Sequence, residues 1–598
     1  MSSWGGFGVW RRSSDLRLFF CYNIFTMNKL LAVVVSMLAL SGVATERQYL
    51  WPEGKMPDAQ EKQFARMTDE EGSTNKIAYI EWLAKPEKPN GGIIIMISGG
   101  SYQCCCDIHH VRKMWPDCFG KAGFQMVNLC YRTPRPEGLP IYQTAWEDGQ
   151  RAVRLVRSEA KKRGLNPEKI GVVSMSAGSH LATLLATSSQ TPAYQPIDEL
   201  DKVPCHINFA ITGAVAYGLT TSAVGNPDKN GGKDGKPGDE FKFDAKTCPM
   251  CMLHGGKDIY SPLASTQVYR KLRQMKVPAE VHLYSDCDHG GFWGCNWQES
   301  ALGFIRQMNY DGKLGKEVSL ELRYASDQDH DLTKLRRENI WPEGKMPNAL
   351  TNQCNPWIEW HFPKELKTKA IQIVYSGGAY NWNSPDSFEV APFRRYLNEK
   401  GMTVVTMRYR CPNNDRAQKH LRPWQDLQRA IRMVRSKAPA LGLDPDRIGI
   451  MGSSAGGHLT LMGALSSTKS AYEPIDELDK IPCNVNWAIG IYPAYALTDG
   501  VDWHNKTGGN DDSAVPVPEF AFDDKCCPMV FIHGDADGWA AMNSVKTWEK
   551  LREKGIQCDL HTLAKRNHCF HRKASEGTGS YTWMNRLWEF LTRKGFNK

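Results

Sequence analysis

The chain repeats itself. "WPEGKMP" at 51–57 returns at 341–347, "PIDELDKVPC" at 196–205 returns as "PIDELDKIPC" at 474–483, and "FDAKTCPM" at 243–250 returns as "FDDKCCPM" at 522–529. The last two pairs lie 278 and 279 residues apart, a period far too long for a solenoid and of the size of a whole domain. At 598 residues the chain is also too long for one ordinary core. The repeat divides it into a leader and signal peptide over 1–44, a first domain over 45–310, a linker over 311–340 and a second domain over 341–598. The polar run "SDQDHDLTKLRREN" at 326–339 suits the seam.

Composition excludes several classes. The net charge of +9 is spread without a basic block or a lysine stripe among aromatics, so no nucleic-acid partner is expected. From Met27 the chain reads "MNKLLAVVVSMLALSGVA": one lysine, an apolar run from Leu30 to Leu40, then small residues at Gly42 and Ala44. That is the pattern of an export signal, and its apolar run is shorter than the roughly 20 residues a spanning helix needs. The expectation is a secreted or periplasmic protein whose translation starts at Met27, without stable membrane association after cleavage; an uncleaved anchor is the alternative. Eighteen cysteines fit an oxidising compartment, and one disulfide per domain, Cys205–Cys248 and Cys483–Cys527, is expected. "CCC" at 104–106 beside His109 and His110 invites a metal reading, but the matching stretch of the second half has no cysteine. No metal and no organic cofactor is expected.

Within each copy, apolar β-rich runs alternate with helical patterns, the signature of a parallel sheet covered on both faces. The first copy gives "GGIIIMISGG" (91–100), "FQMVNLCYR" (124–132), "KIGVVSMSAG" (169–178), "INFAIT" and "PMCMLHG". The second gives "AIQIVYSGG", "MTVVTMRYR", "RIGIMGSSAG", "VNWAIGIY" and "PMVFIHG". From Trp146 to Arg163 the apolar positions Ala152, Val153, Val156 and Ala160 recur at helical spacing.

Chemistry gathers at the strand ends. Ser454 sits in G-x-S-x-G and Ser176 in the same frame, with Ser174 in place of the first glycine. Strand–turn–helix geometry lifts such a serine above the sheet and aims the next N–H at a developing oxyanion. A serine nucleophile needs a base, and the base needs an orienting acid. Asp258 in "LHGGKD" and His289 in "DCDHGGF" follow in that order, as do Asp537 in "IHGDAD" and His568 in "KRNHCF"; both pairs are 279 residues apart. Asp535 competes with Asp537, but its counterpart is Gly256. His254, His533, His180 and His458 read as packing or capping histidines. The loops "SGGSY" (98–102) and "SGGAY" (376–380) supply the rest of an oxyanion hole: Gly100 with Ala177 and Gly378 with Ala455, then Gly99 and Gly377.

These motifs, with "YRTP" (131–134) and "YRCP" (409–412) and the following "WEDGQRAVRLVR" and "WQDLQRAIRMVR", resemble the esterase/lipase group of α/β-hydrolases with an H-G-G-G or P-G-G-G-Y oxyanion loop. The resemblance runs from about 80 to 308 and from about 357 to 591. It implies two tandem α/β-hydrolase domains, each a mostly parallel sheet flanked by helices. It also implies an activity like that of acetyl xylan esterases, a Ser-Asp-His hydrolase acting on an acylated carbohydrate or another small ester. The first residue of the oxyanion loop is serine here and the third glycine is lost. The residues leave two alternatives open: a serine peptidase on the same fold, or one domain kept as a non-catalytic carbohydrate-binding scaffold. Polar, glycine-rich segments at 226–240 and 502–516 suit a hydrated substrate.

Overall fold

A computed structural model describes residues 46–67, 75–106, 109–220, 235–319, 336–413, 418–500 and 512–598. The segment read as a signal peptide lies outside the described residues, as do most of the two glycine-rich segments. Among the described residues no helix is long and apolar enough to cross a membrane.

The first half contributes β1 (Glu46–Tyr49), β2 (Tyr79–Trp82), β3 (Ile93–Ile97), β4 (Gln125–Cys130), β5 (Ile170–Met175), β6 (Phe209–Gly213), β7 (Met250–Gly255) and β8 (Ala279–Tyr284). The second contributes β10 (Arg336–Asn339), β11 (Trp357–His361), β12 (Ile371–Tyr375), β13 (Thr403–Arg408), β14 (Ile448–Ser453), β15 (Trp487–Ile491), β16 (Met529–Gly534) and β17 (Cys558–Leu563). All sixteen form one sheet, in the order β1-β2-β4-β3-β5-β6-β7-β8-β17-β16-β15-β14-β12-β13-β11-β10. From β4 to β8, and from β13 to β17, neighbours are parallel. The inner strands are buried on both faces, which is why they read as unbroken apolar runs.

The linker reading differs from the structure at two places. Arg336–Asn339 is β10, the counterpart of β1, and Glu317–Val318 (β9) pairs antiparallel with Ala574–Ser575 (β18). Polar composition hid both, because an outer strand or a two-residue bridge needs no apolar face.

Helices α1 (Gln143–Ala160) and α2 (Ala177–Thr187) cover the first half, with α3 (Leu263–Gln274) and α4 (Trp297–Gln307). The second half has α5 (Ala391–Glu399), α6 (Leu421–Lys437), α7 (Ala455–Leu465), α8 (Met542–Glu553) and α9 (Gly579–Arg593). The repeated motifs brace them. Trp51 Nε1 donates to Asp148 Oδ1 at 2.7 Å, and Arg132 Nε reaches the same carboxylate at 3.0 Å while Nη1 holds Pro57 O at 2.7 Å. Trp341, Arg410 and Asp426 repeat the arrangement. "PIDELDK" clamps a second arginine: Arg151 contacts Asp198 at 2.6 Å and Asp201 at 3.0 Å, and Arg429 contacts Asp476 and Asp479 at 2.6 and 2.9 Å. A buried guanidinium stripped of one such partner is costly, so both repeated strings are structural.

The halves join edge to edge. β8 and β17 pair antiparallel, with His282 opposite His561. These histidines are 279 residues apart, the same position in each copy, so a local two-fold axis passes between them. Their Nδ1 atoms are 3.1 Å apart and buried, which requires one ring to donate to the other. Asp535, the rival acid of the sequence, belongs to this junction: it accepts from Tyr269 Oη at 2.8 Å, Arg273 at 3.1 Å and the Ala279 amide at 3.2 Å.

The disulfide expectation is corrected. Cys205, Cys248, Cys483 and Cys527 are free thiols; Cys205 donates instead to Ser189 O at 3.2 Å and Cys483 to Ser467 O at 3.4 Å. Around "CCC", Cys105 is buried and donates to Tyr131 O at 3.3 Å. The one cluster of metal-capable side chains found among the described residues is elsewhere, Cys251 with Glu280 and His282. Its carboxylate is satisfied by His282 Nε2 and by the Ala564 amide, both at 2.9 Å, without an ion.

Candidate active site

Ser176 and Ser454 stand between β5 and α2 and between β14 and α7. Their backbones are left-handed, φ 57° with ψ −124° and −120°, a conformation costly for a non-glycine residue. Neighbouring backbone fixes it: the Ser176 amide donates to Gly213 O at 2.9 Å and the Ser454 amide to Ile491 O at 3.0 Å. The sharp turn leaves no room beside it. A Cβ on Gly178 would lie 2.4 Å from Ser98 O, and on Gly456 2.6 Å from Ser376 O.

Three side chains meet at each serine. His289 Nε2 is 3.0 Å from Ser176 Oγ, and its Nδ1 is 2.9 Å from both Asp258 oxygens. His568 Nε2 is 2.8 Å from Ser454 Oγ, and its Nδ1 is 2.7 Å from Asp537 Oδ2. Both imidazoles keep about a quarter of their side chain exposed, while both carboxylates are fully buried. Burial alone would push these carboxyls up. Hydrogen bonds from His254 and His289 outweigh it and hold Asp258 well below the usual carboxylate range; His533 and His568 hold Asp537 at about 2.

His254 and His533, read as packing residues, thus also support the acids. Each Nε2 lies 3.3 Å from the carboxylate, and each Nδ1 accepts from a serine hydroxyl, Ser265 at 2.9 Å and Ser544 at 2.8 Å. The signal was the shared i, i+4 spacing of His and Asp in both copies. His180 and His458 hold the oxyanion loops through Tyr102 and Tyr380, at 2.9 and 2.8 Å. Glu240 closes the first of these relays, 2.7 Å from His180 Nε2.

Each oxyanion loop takes three left-handed residues in a row: Gly100, Ser101 and Tyr102 at φ 122°, 55° and 60°, and Gly378, Ala379 and Tyr380 at φ 92°, 53° and 61°. A Cβ on Gly100 would meet Cys104 O at 2.0 Å, and on Gly378 Trp382 O at 2.1 Å. Among the described residues the amides of Gly100, Ser101 and Ala177, and of Gly378, Ala379 and Ala455, donate to no protein acceptor. They are available to an oxyanion. The Gly99 carbonyl accepts from Cys106 N at 3.3 Å. Gly377 departs from its expected role: its N–H is given to Glu389 Oε2 at 2.7 Å. One amide has one hydrogen, so Gly377 anchors the loop, and Ala379, unremarked in the sequence, stands beside Gly378 as the donor-bearing residue.

Glu389 is itself buried, and its other oxygen accepts from Tyr492 Oη at 3.1 Å, which also lies 3.1 Å from His571 Nδ1. Burial raises the Glu389 carboxyl against the hydrogen bonds that lower it. Burial, then the charge of His568, push His571 down to about 3. Nothing in the linear sequence joined these three residues.

The BD-FAE family model matches residues 82–223 and 359–551, one region in each half and more than half of the chain. The acetylxylan esterase of Xylanibacter ruminicola is 23% identical over 248 residues, covering 39% of this chain and 47% of that protein. Endo-1,4-beta-xylanase B of Butyrivibrio fibrisolvens is 32% identical over 172 residues, 28% of this chain and 26% of its own. Esterase LipQ of Mycobacterium tuberculosis is 31% identical over 136 residues, 22% of this chain and 30% of its own. The chain thus spans between a quarter and a half of the length of these relatives. Among solved structures, the acetyl ester-xyloside bifunctional hydrolase of Caldicellulosiruptor lactoaceticus aligns at 22% identity and a TM-score of 0.37, over 44% of this chain and 97% of that one.

Proposed function

This chain belongs to the BD-FAE family, with one matching region in each half, and we propose that it is a serine carboxylic-ester hydrolase with two catalytic centres. The observation that carries the reading is the doubled line of serine, imidazole and buried carboxylate, each beside unspent backbone amides. His289 and His568 take the proton of Ser176 and Ser454 as Oγ attacks the ester carbonyl carbon. Asp258 and Asp537 fix the imidazole tautomer and stabilise the imidazolium. Negative charge on the former carbonyl oxygen is held by the amides of Gly100, Ser101 and Ala177, or Gly378, Ala379 and Ala455. The imidazolium then protonates the leaving alkoxide, and water, deprotonated by the same imidazole, releases the acid from the acyl-enzyme.

The substrate proposed is an acetylated plant-type polysaccharide. The named activities of the xylan-directed relatives support it, as do the polar glycine-rich segments of the sequence. Export rests on the leader at 27–44 alone. Acetate release from acetylated xylan by wild type, Ser176→Ala, Ser454→Ala and the double variant tests the reading. Each single variant is expected to lose one centre, and the double variant to lose about 10⁴-fold or more. Full activity in the double variant overturns it. Two serines labelled by a fluorophosphonate are expected.

A further inference from the structure

The two centres differ in charge. Arg135 follows the Thr133–Pro134 turn and reaches the first oxyanion loop, where its Nε donates to Ser101 O at 2.8 Å. Its Nη2 donates to Tyr217 Oη at 2.7 Å, and the guanidinium carbon lies 5.5 Å from the centre of that ring. Tyr217 in turn accepts from Tyr260 Oη at 3.1 Å, and the Tyr260 ring lies 5.3 Å from that of His289. Arg135, Tyr217 and Tyr260 therefore form one connected wall from the oxyanion loop to the catalytic imidazole. Among the described residues no carboxylate pairs with Arg135, and Nη1 donates to no acceptor. Arg157 and Arg435 also lack a carboxylate, but each spends all three of its nitrogens on backbone carbonyls. Arg132, Arg151, Arg410 and Arg429 each grip two acids or an acid and a carbonyl.

The second centre has no such cation at that position. Asn413 stands at the counterpart of Arg135, buried and turned to the Arg410 carbonyl at 2.7 Å. Trp539 stands at the counterpart of Tyr260. A half-buried guanidinium held by two neutral oxygens, with Nη1 unspent among the described residues, has the donors to take a carboxylate.

We propose that the first centre takes esters that also carry a carboxylate, and that Arg135 is its specificity-determining residue. The proposal rests on Ser176 being a nucleophile, as read above. Two sources share the required chemistry: a uronic-acid sugar bearing the ester on a hydroxyl, or a dicarboxylic acid forming the ester with its other end.

The test uses the full chain carrying Ser454→Ala, so that only the first centre acts. Mono-p-nitrophenyl glutarate is compared with p-nitrophenyl pentanoate, and acetylated glucuronate with acetylated glucose. At least one charged substrate is expected to have a kcat/KM about tenfold above its neutral partner, declining at high salt. Which pair shows it names the source. Arg135→Gln is expected to raise KM for the charged substrate by about 10–100-fold, a loss at least tenfold larger than on the neutral one. Arg135→Lys should restore part of the preference, since it keeps the charge without the fork. Equal losses on charged and neutral substrates, or preference for the neutral partner in both pairs, overturn the proposal. If the Ser454→Ala chain cleaves none of the four while Ser176→Ala cleaves a neutral one, the nucleophile reading of the first half fails and this proposal with it.

Discussion

The serine, imidazole and carboxylate groups of the two halves agree in kind and spacing, while what surrounds them differs. Serine to imidazole is 3.0 Å in one and 2.8 Å in the other, and the serine dihedrals agree within a few degrees. Behind them, Glu389, Tyr492 and His571 form a buried polar chain at the positions held in the first half by Val111, Ala214 and Phe292. Three remote positions changed character together, because a buried carboxylate needs its donors and an apolar pocket tolerates none of them. The turn before each serine shows the same coupling. Ser174 replaces Gly452, and Ser179 replaces Gly457; the two hydroxyls are 3.1 Å apart, with Ser179 Oγ also donating to Gly213 O at 2.8 Å. In the second half a Cβ at Gly452 would strike Gly456 O at 2.3 Å and the Tyr375 ring at 2.6 Å. The halves therefore share the serine, imidazole and carboxylate arrangement and differ in the scaffolding that holds it.

The equivalence proposed for the two centres is most exposed to removal of the acids. With the opposite serine changed to alanine, Asp258→Asn and Asp537→Asn are each expected to lower kcat on p-nitrophenyl acetate by about 10⁴-fold. A loss under tenfold in either half would end the equivalence. The scaffolding difference is reached next by giving the second half a first-half residue. Glu389→Val in a Ser176→Ala chain frees the Gly377 amide and loosens the oxyanion loop, with an expected fall in kcat of about 10–100-fold and little change in KM. An unchanged kcat would make Glu389 a bystander.

Smaller effects separate the two turns. Gly452→Ser should cost about 1–3 kcal/mol through overpacking, whereas Ser174→Gly should cost about 1 kcal/mol from a lost hydrogen bond and added chain entropy. Thermal midpoints decide whether the asymmetry has that sign. The least is a slope. His571 has a folded pKa of about 3 against an ordinary 6.5, so between those values the unfolded chain binds the proton that the folded chain refuses. Stability contributed by the neutral ring is present above pH 6.5 and is lost as pH falls toward 3. His571→Phe, the residue of the first half, should flatten the fall measured by denaturant melts across that window. His282 and His561, whose burial also lowers them, keep part of it in place.

Much of this was legible in the chain itself. β3, β5, β14 and their neighbours announced themselves as β-branched runs because both faces are covered, and the acids and imidazoles kept register between copies. β1 and β10 were silent, since "ERQY" and "RREN" have no face to bury. The pairing of β8 with β17 left no local mark, since a long-range register is fixed by side chains hundreds of residues apart. Ser179 and Glu389 went unnoticed for the same reason: each matters through a partner that only folding supplies. The repeated "WPEGKMP" and "PIDELDK" were visible as landmarks, but their task, holding buried arginines, was not.

The seam between the copies has one more consequence. Because it is built on a two-fold axis, the same surface of each copy is consumed by the other, and an isologous contact of that kind closes on itself with two members. At the far ends the sheet finishes in short strands carrying Glu46, Arg47, Arg337 and Glu338, already tied to Arg163, Glu81, Glu359 and Lys437 respectively. Charge on a terminal strand discourages a third molecule from adding itself. The two copies thus spend their inner edges on each other, and paired charges line the outer strands where another edge would have to add.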